Sequence, residues 1–125
     1  MDLILDAGAL IAADRDDRRM AGLLELGRRA GAELRSSAPV VAQAWRHGAR
    51  QARLARLLAG TDVRLVDLEE ARAAGELLAA SGTSDVVDAL LVRTAVDGDQ
   101  VLTSDPADVT LLAAARSVSV TVVRV

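Results

Sequence analysis

Two aspartates three residues apart, Asp85 and Asp88, open an apolar run that continues through Ala89, Leu90, Leu91 and Val92. On a helix that spacing puts both carboxylates on one face, with Cβ atoms about 5–6 Å apart. Val86 and Val87 precede Asp88, so its side chain is headed for the interior. An ionised acid buried there without a partner is strongly unfavourable. Something cationic should meet it. Either an arginine does so, with Arg93 and Arg116 as the candidates, or a divalent metal ion does.

Other acids have simpler explanations when taken singly. Asp6 ends the apolar run Leu3-Ile4-Leu5 and reads as the cap of the next helix. Asp105 stands before Pro106, a capping signature with proline at the first helical position. Asp85 follows Ser84 in a first turn, where a negative charge suits the helix dipole, and Asp108 is most simply a first-turn acid of the last helix. Jointly, Asp6, Asp88 and Asp105 make an oxygen-rich site suited to Mg2+ or Mn2+, with Asp85 as an added neighbour. Gathering them without a cation would incur the like-charge repulsion that raises carboxylate pKa values.

Composition narrows the field. The 125 residues suffice for one domain, residues 1–125, around one core. Trp45 is the only aromatic residue, which argues against a reader that stacks bases on aromatic rings. Without cysteine there are no disulfides, zinc–thiolate sites or thiol chemistry. All 15 basic side chains are arginine, so no lysine can serve as a base or form a Schiff base. The N-terminus lacks a basic or long apolar leader, so the expectation is a soluble cytoplasmic protein without a membrane span. The net charge is −3, yet residues 34–61 contain five arginines and no acid. Such a basic segment can bind a polyanion locally.

The elements that must position these groups alternate. Residues 3–5, 33–37, 63–66, 100–103 and 118–123 read as strands. Helices are expected over 7–13, 18–30, 40–48, 49–58, 68–80, 85–96 and 106–115. Met20, Leu23, Leu24 and Leu26 are expected to face inward from the second helix. The alternation predicts an α/β fold in three layers, a parallel sheet of four to five strands with helices on both faces. In open sheets of this kind the working crevice lies at the carboxyl ends of the strands. Asp6 and Asp105 follow strands there, and the helix carrying Asp88 can join them.

Leu3-Ile4-Leu5-Asp6, Asp88-Ala89-Leu90-Leu91-Val92-Arg93-Thr94-Ala95 and Val101-Leu102-Thr103-Ser104-Asp105 together resemble a PIN domain. Within that superfamily the chain is similar to a VapC-type toxin ribonuclease over essentially its whole length. The resemblance implies metal-dependent endoribonuclease activity, a hydrolase acting on RNA phosphodiester bonds. It makes Asp6, Asp88 and Asp105 catalytic metal ligands and assigns Gln43, Thr103, Ser104 and Asp108 to the layer around them. The chain departs from the family pattern twice. Gly8 stands where the family usually has Ser or Thr, and Gln43 stands where it usually has a Glu. Gln43 brings no charge, and Asp85 is the candidate to restore it.

Arg46, Arg50 and Arg53 would share one side of a continuous helix and hold the RNA backbone, although a solvated helix face explains the same spacing. The family also implies a cognate antitoxin as partner and a homodimer, and residues 40–58 would suit a partner helix. The competing reading is a non-catalytic PIN-like module that binds RNA or protein. A phosphoacceptor receiver domain fits less well, because receivers rely on a lysine and on paired acids after the first strand.

Overall fold

Leu3, Ile4 and Leu5 are all buried, and the strand they form is the middle of the sheet. A computed structural model describes residues 1–125. The order of elements is β1 (Leu3–Leu5), α1 (Ala7–Asp14), α2 (Arg18–Arg29), β2 (Leu34–Ser37) and α3 (Ala38–Ala44). A single 3-10 turn (Gly48–Arg50) leads into α4 (Ala52–Ala59), β3 (Thr61–Arg64), α5 (Leu68–Ser81) and α6 (Val86–Val92). Then come β4 (Gln100–Thr103), α7 (Pro106–Arg116) and β5 (Thr121–Arg124).

All five strands are parallel, in the order β3-β2-β1-β4-β5. Ile4 lies opposite Arg35 on β2 and opposite Val101 on β4. The chain winds outward from β1 through β2 to β3, then crosses back to β4 and β5. Right-handed crossovers therefore place the helices before β3 on one face and those after it on the other. The helix contacts largely agree: α1 packs on α2, α3 and α4, whereas α5, α6 and α7 pack on one another, and α3 also touches α6. This is the expected three-layer α/β/α arrangement with seven helices around the sheet. The direction of winding reverses between β1 and β4, so a crevice opens at their carboxyl ends. No helix is long and apolar enough to cross a membrane.

Several boundaries differ from expectation. The helix expected to run to residue 48 ends at Ala44, because the Gln51 side chain accepts the N–H groups of Arg46 and His47 and holds the chain in a turn. The third strand lies two residues early, at Thr61–Arg64, in register with Leu34–Ser37. That leaves Leu65 exposed. Leu26 faces solvent, not the core. The last strand starts at Thr121. Helix α6 stops at Val92: the Thr94 hydroxyl donates to the Leu91 carbonyl, and the Arg116 guanidinium donates to those of Val92 and Ala95.

At the amino ends of the strands lies a buried ion-pair network. The Arg35 guanidinium donates to Asp99 Oδ2 at 3.1 Å, to Asp2 Oδ2 at 2.8 Å and to the Thr94 carbonyl at 2.9 Å. Burial alone would raise the Asp99 pKa, but N–H donors from Val96 and Asp2 and the Arg35 charge outweigh it and hold it low. A group depressed in this way stabilises the fold above its unfolded pKa, and that stability is lost as pH falls through the folded value. Replacing Arg35 with Met should cost about 3–5 kcal/mol of unfolding free energy at neutral pH, because Asp99 is left charged and unpaired. Urea denaturation at pH 7 and at pH 3 checks this: the deficit should shrink in acid.

Candidate metal centre

Helices α6 and α7 begin alike. Each has an aspartate at its N-cap and another three residues on: Asp85 and Asp88 for α6, Asp105 and Asp108 for α7. The helices pack on each other, and their first turns face the crevice between β1 and β4. One carboxylate oxygen each from Asp88, Asp105 and Asp108 lies within 4.8 Å of the other two. Asp6, at the end of β1, and Asp85 border this trio closely enough for their charges to act on Asp88.

The acids are not equivalent. Asp6 is almost fully buried and already engaged: Oδ1 accepts the Ala9 N–H at 2.8 Å and caps α1, while Oδ2 accepts the Ser104 N–H at 2.8 Å and its hydroxyl at 3.4 Å. Asp85 is the cap of α6, its Oδ1 accepting the N–H groups of Val87 and Asp88. Asp105 occupies the cap position of α7 yet makes no capping bond. Its backbone, at φ −126° and ψ 65°, is held in place where its N–H meets the buried Thr103 hydroxyl at 2.9 Å. Its carboxylate is thereby left available. Asp88 is 8% exposed, and its Oδ2 is buried with no hydrogen-bond partner.

No guanidinium meets any of these five acids. Arg93 forms a bidentate pair with Glu70, and Arg116 is bound to backbone carbonyls at the end of α6. Both arginines that could have neutralised Asp88 are therefore used elsewhere. Burial, then the charges of the neighbouring Asp85, Asp105 and Asp6 carboxylates, push the Asp88 pKa up to about 7. Asp108 is raised by desolvation and by Asp105, with a further contribution from Asp85. The donor set is all carboxylate, of the kind that Mg2+ and Mn2+ select. Together with the partnerless oxygen of Asp88, it fits a divalent ion held by Asp88, Asp105 and Asp108.

The other expected site residues divide. Thr103 and Ser104 touch the acids as described. Asp108, expected in the surrounding layer, has its oxygen inside the trio. Its spacing from Asp105 is the same i, i+3 signal that marked Asp85 and Asp88. Gln43 is exposed on α3, and its side chain makes no hydrogen bond. The continuous arginine stripe does not form, since Arg46 lies beyond α3, Arg50 in the 3-10 turn and Arg53 in α4. Arg46 folds back onto the carbonyls of Ala42 and Trp45, and Arg53 pairs with Asp16 at 3.7 Å. Arg35, counted in the basic segment, is buried in its own network. Arg50 and Arg56 are exposed and unpaired. The largest cavity, about 640 Å³, is elsewhere, lined by Leu24, Arg28, Leu34 and Asp62 among others.

Gly8 has a steric explanation. A Cβ there would stand 2.6 Å from Ser104 Oγ and 2.7 Å from Ser104 Cβ. The space that a side chain at residue 8 would fill is taken by Ser104, whose hydroxyl also faces Asp6. No protein-family model matches the chain, and a search of curated proteins finds no match.

Two outcomes are expected. Gly8→Ser should destabilise the fold by about 1–3 kcal/mol through overpacking. The double variant Gly8→Ser/Ser104→Gly should recover most of that loss in thermal melts. Second, a carboxyl raised in the folded state costs stability above its folded pKa, and the cost disappears as pH falls towards its unfolded value. Metal-free Asp88→Asn should therefore melt above the wild type at pH 8, by ~1–2 kcal/mol after solvent screening. At pH 4 the two should coincide. A difference that persists unchanged at pH 4 would rule out the charge as its cause.

Proposed function

We propose that this chain is a metal-dependent endoribonuclease, the toxin of a VapC-type toxin–antitoxin pair. The observation that carries the proposal is the buried, partnerless carboxylate oxygen of Asp88, set among four other acids with no arginine at any of them. Hydrolysis of an RNA phosphodiester places negative charge beside negative charge, so an all-acid crevice needs a divalent cation to accept a phosphate. Mg2+ or Mn2+ bound there would polarise the phosphate and lower the pKa of a water molecule for in-line attack.

The chain's own residues supply the rest. Asp88, Asp105 and Asp108 offer oxygens. Asp6 ties the end of β1 to Ser104 and so fixes the floor of the crevice. Thr103 sets the backbone of Asp105. The exposed Arg50 and Arg56 are suited to phosphate contacts that set affinity without reading sequence. Arg53 lies near Asp16, just past the end of α1 remote from Asp6. Arg56, which lines the same hollow as Arg53 and Asp16, therefore lies roughly a helix length, about 12 Å, from Asp6. RNA would have to bridge that distance. The same reading implies cytoplasmic action, a cognate antitoxin that covers the acids, and a homodimer.

The exposed, uncharged Gln43 on α3, where the family usually has a Glu, favours a second reading: a PIN-like module that binds RNA or protein without cutting. One assay separates the two. Wild type and Asp88→Ala, freed of any co-purifying partner, are incubated with total RNA and Mn2+ or Mg2+. Cleavage that requires the metal, is abolished by EDTA and drops at least 100-fold in Asp88→Ala is the expected result. RNA binding without cleavage, equal in both proteins, would leave only the module.

A further inference from the structure

We infer that this chain binds a single divalent ion, and that Asp108 supplies the third carboxylate in place of the one missing from α3. The inference rests on the metal-dependent reading and goes past it, because the resemblance draws its acids from Asp6, from α3, from Asp88 and from Asp105. The geometry points to a different set. Asp88, Asp105 and Asp108 have oxygens within 4.8 Å of one another, a group that does not include Asp6. Three N–H and O–H donors already occupy Asp6, two of them on Oδ2. Gln43 is exposed and uncharged, and its side chain makes no hydrogen bond to the acids.

Proximity of acids alone would prove little. Two features mark this trio as a ligand set. Asp88 is more than nine-tenths buried, and its Oδ2 has no donor from the protein. Asp105 stands at a helix cap and leaves that cap unmade, whereas Asp6, Asp17, Asp67 and Asp85, each at the same position of a helix, all make theirs. A carboxylate that forgoes its N–H partners beside another that has none is arranged for a ligand shared between them. Asp108 completes the group from the same first turn as Asp105, three residues along and hence on the same side of α7. Three carboxylates and no fourth outside Asp6 and Asp85, both engaged as caps, suffice for one ion with waters completing its shell.

The test is Mn2+ binding to the full chain, read by calorimetric stoichiometry and by the loss of the free-ion electron paramagnetic resonance signal. Circular dichroism verifies that each variant is folded. Wild type should bind one Mn2+ per chain. Asp108→Asn should weaken binding by at least the roughly 10–100-fold that removal of an outer-shell partner costs. Asp85→Asn, which keeps a competent cap and loses one charge, should weaken it less. Gln43→Glu should leave affinity and stoichiometry unchanged.

Two ions per chain, a gain of affinity in Gln43→Glu, or an Asp108→Asn variant that binds as wild type would each overturn the inference. In those cases loss of binding in Asp88→Ala would still uphold the metal-dependent reading. Absence of Mn2+ binding by the folded wild type would overturn that reading as well.

Discussion

Uncompensated negative charge at the carboxyl ends of β1 and β4 is the constraint on which the rest depends. The chain has cations enough to avoid it. At the opposite ends of the same strands, Arg35 is buried among Asp2, Asp62 and Asp99, and the most buried of these, Asp99, receives donors on both oxygens. One buried acid in this protein is thus fully satisfied and another, Asp88, is left with a bare oxygen. The contrast is more informative than either site alone. A buried acid is tolerated when its lone pairs are met, and the acid left unmet among like charges is where the proposed ion would supply the missing partner.

The sheet order explains why the acids meet. Because β4 returns to the side of β1 away from β2, the loops after β1 and β4 diverge to opposite faces of the sheet and leave a gap. Asp6 stands on one lip and Ser104-Asp105 on the other, stitched together by the Asp6–Ser104 bonds. Helix α6 brings Asp88 over the gap from the face it shares with α7. Two helix N-termini then point their partial positive charge at the cluster. That eases the repulsion but does not supply the hydrogen bond that Asp88 Oδ2 lacks.

Much of this was legible in the sequence, and the limits have physical causes. Short apolar runs ending in acids located β1 and β4 closely, and capping chemistry located α1 and α7. Where local chemistry was ambiguous, long-range pairing decided. Residues 63–66 are as apolar as a strand should be, yet the register with β2 selects Thr61–Arg64 and leaves Leu65 outside. The arginine stripe failed because one side chain, Gln51, turns the chain after Ala44, an interaction invisible to helical periodicity. Asp88 was singled out correctly as a buried acid, because its apolar flanks leave it no exposed face. The nearness of Asp108 to Asp88 was not legible, because a first-turn acid has an ordinary explanation and only the packing of α7 on α6 brings the two together. The burial of Arg35 was likewise hidden, since its partners Asp2 and Asp99 are distant in the chain.

The two departures from the family pattern converge on one junction. The side-chain space beside Asp6 that residue 8 leaves empty is filled from Ser104. The carboxylate that residue 43 does not bring has its inferred counterpart in Asp108. Thr103 holds the Asp105 backbone from the preceding residue but one. Residues 103–108 therefore contribute the hydroxyl beside Asp6, the brace for Asp105 and two of the three clustered carboxylates. A site concentrated in this way depends less on how α3 sits and more on the angle between β4 and α7. Pro106 at the start of α7 restricts that angle by fixing its own φ and by disfavouring helical backbone at Asp105. Asp105 nonetheless makes no cap: its ψ of 65° falls short of the extended values of the aspartates that do cap, and its carboxylate lies with those of Asp88 and Asp108 instead.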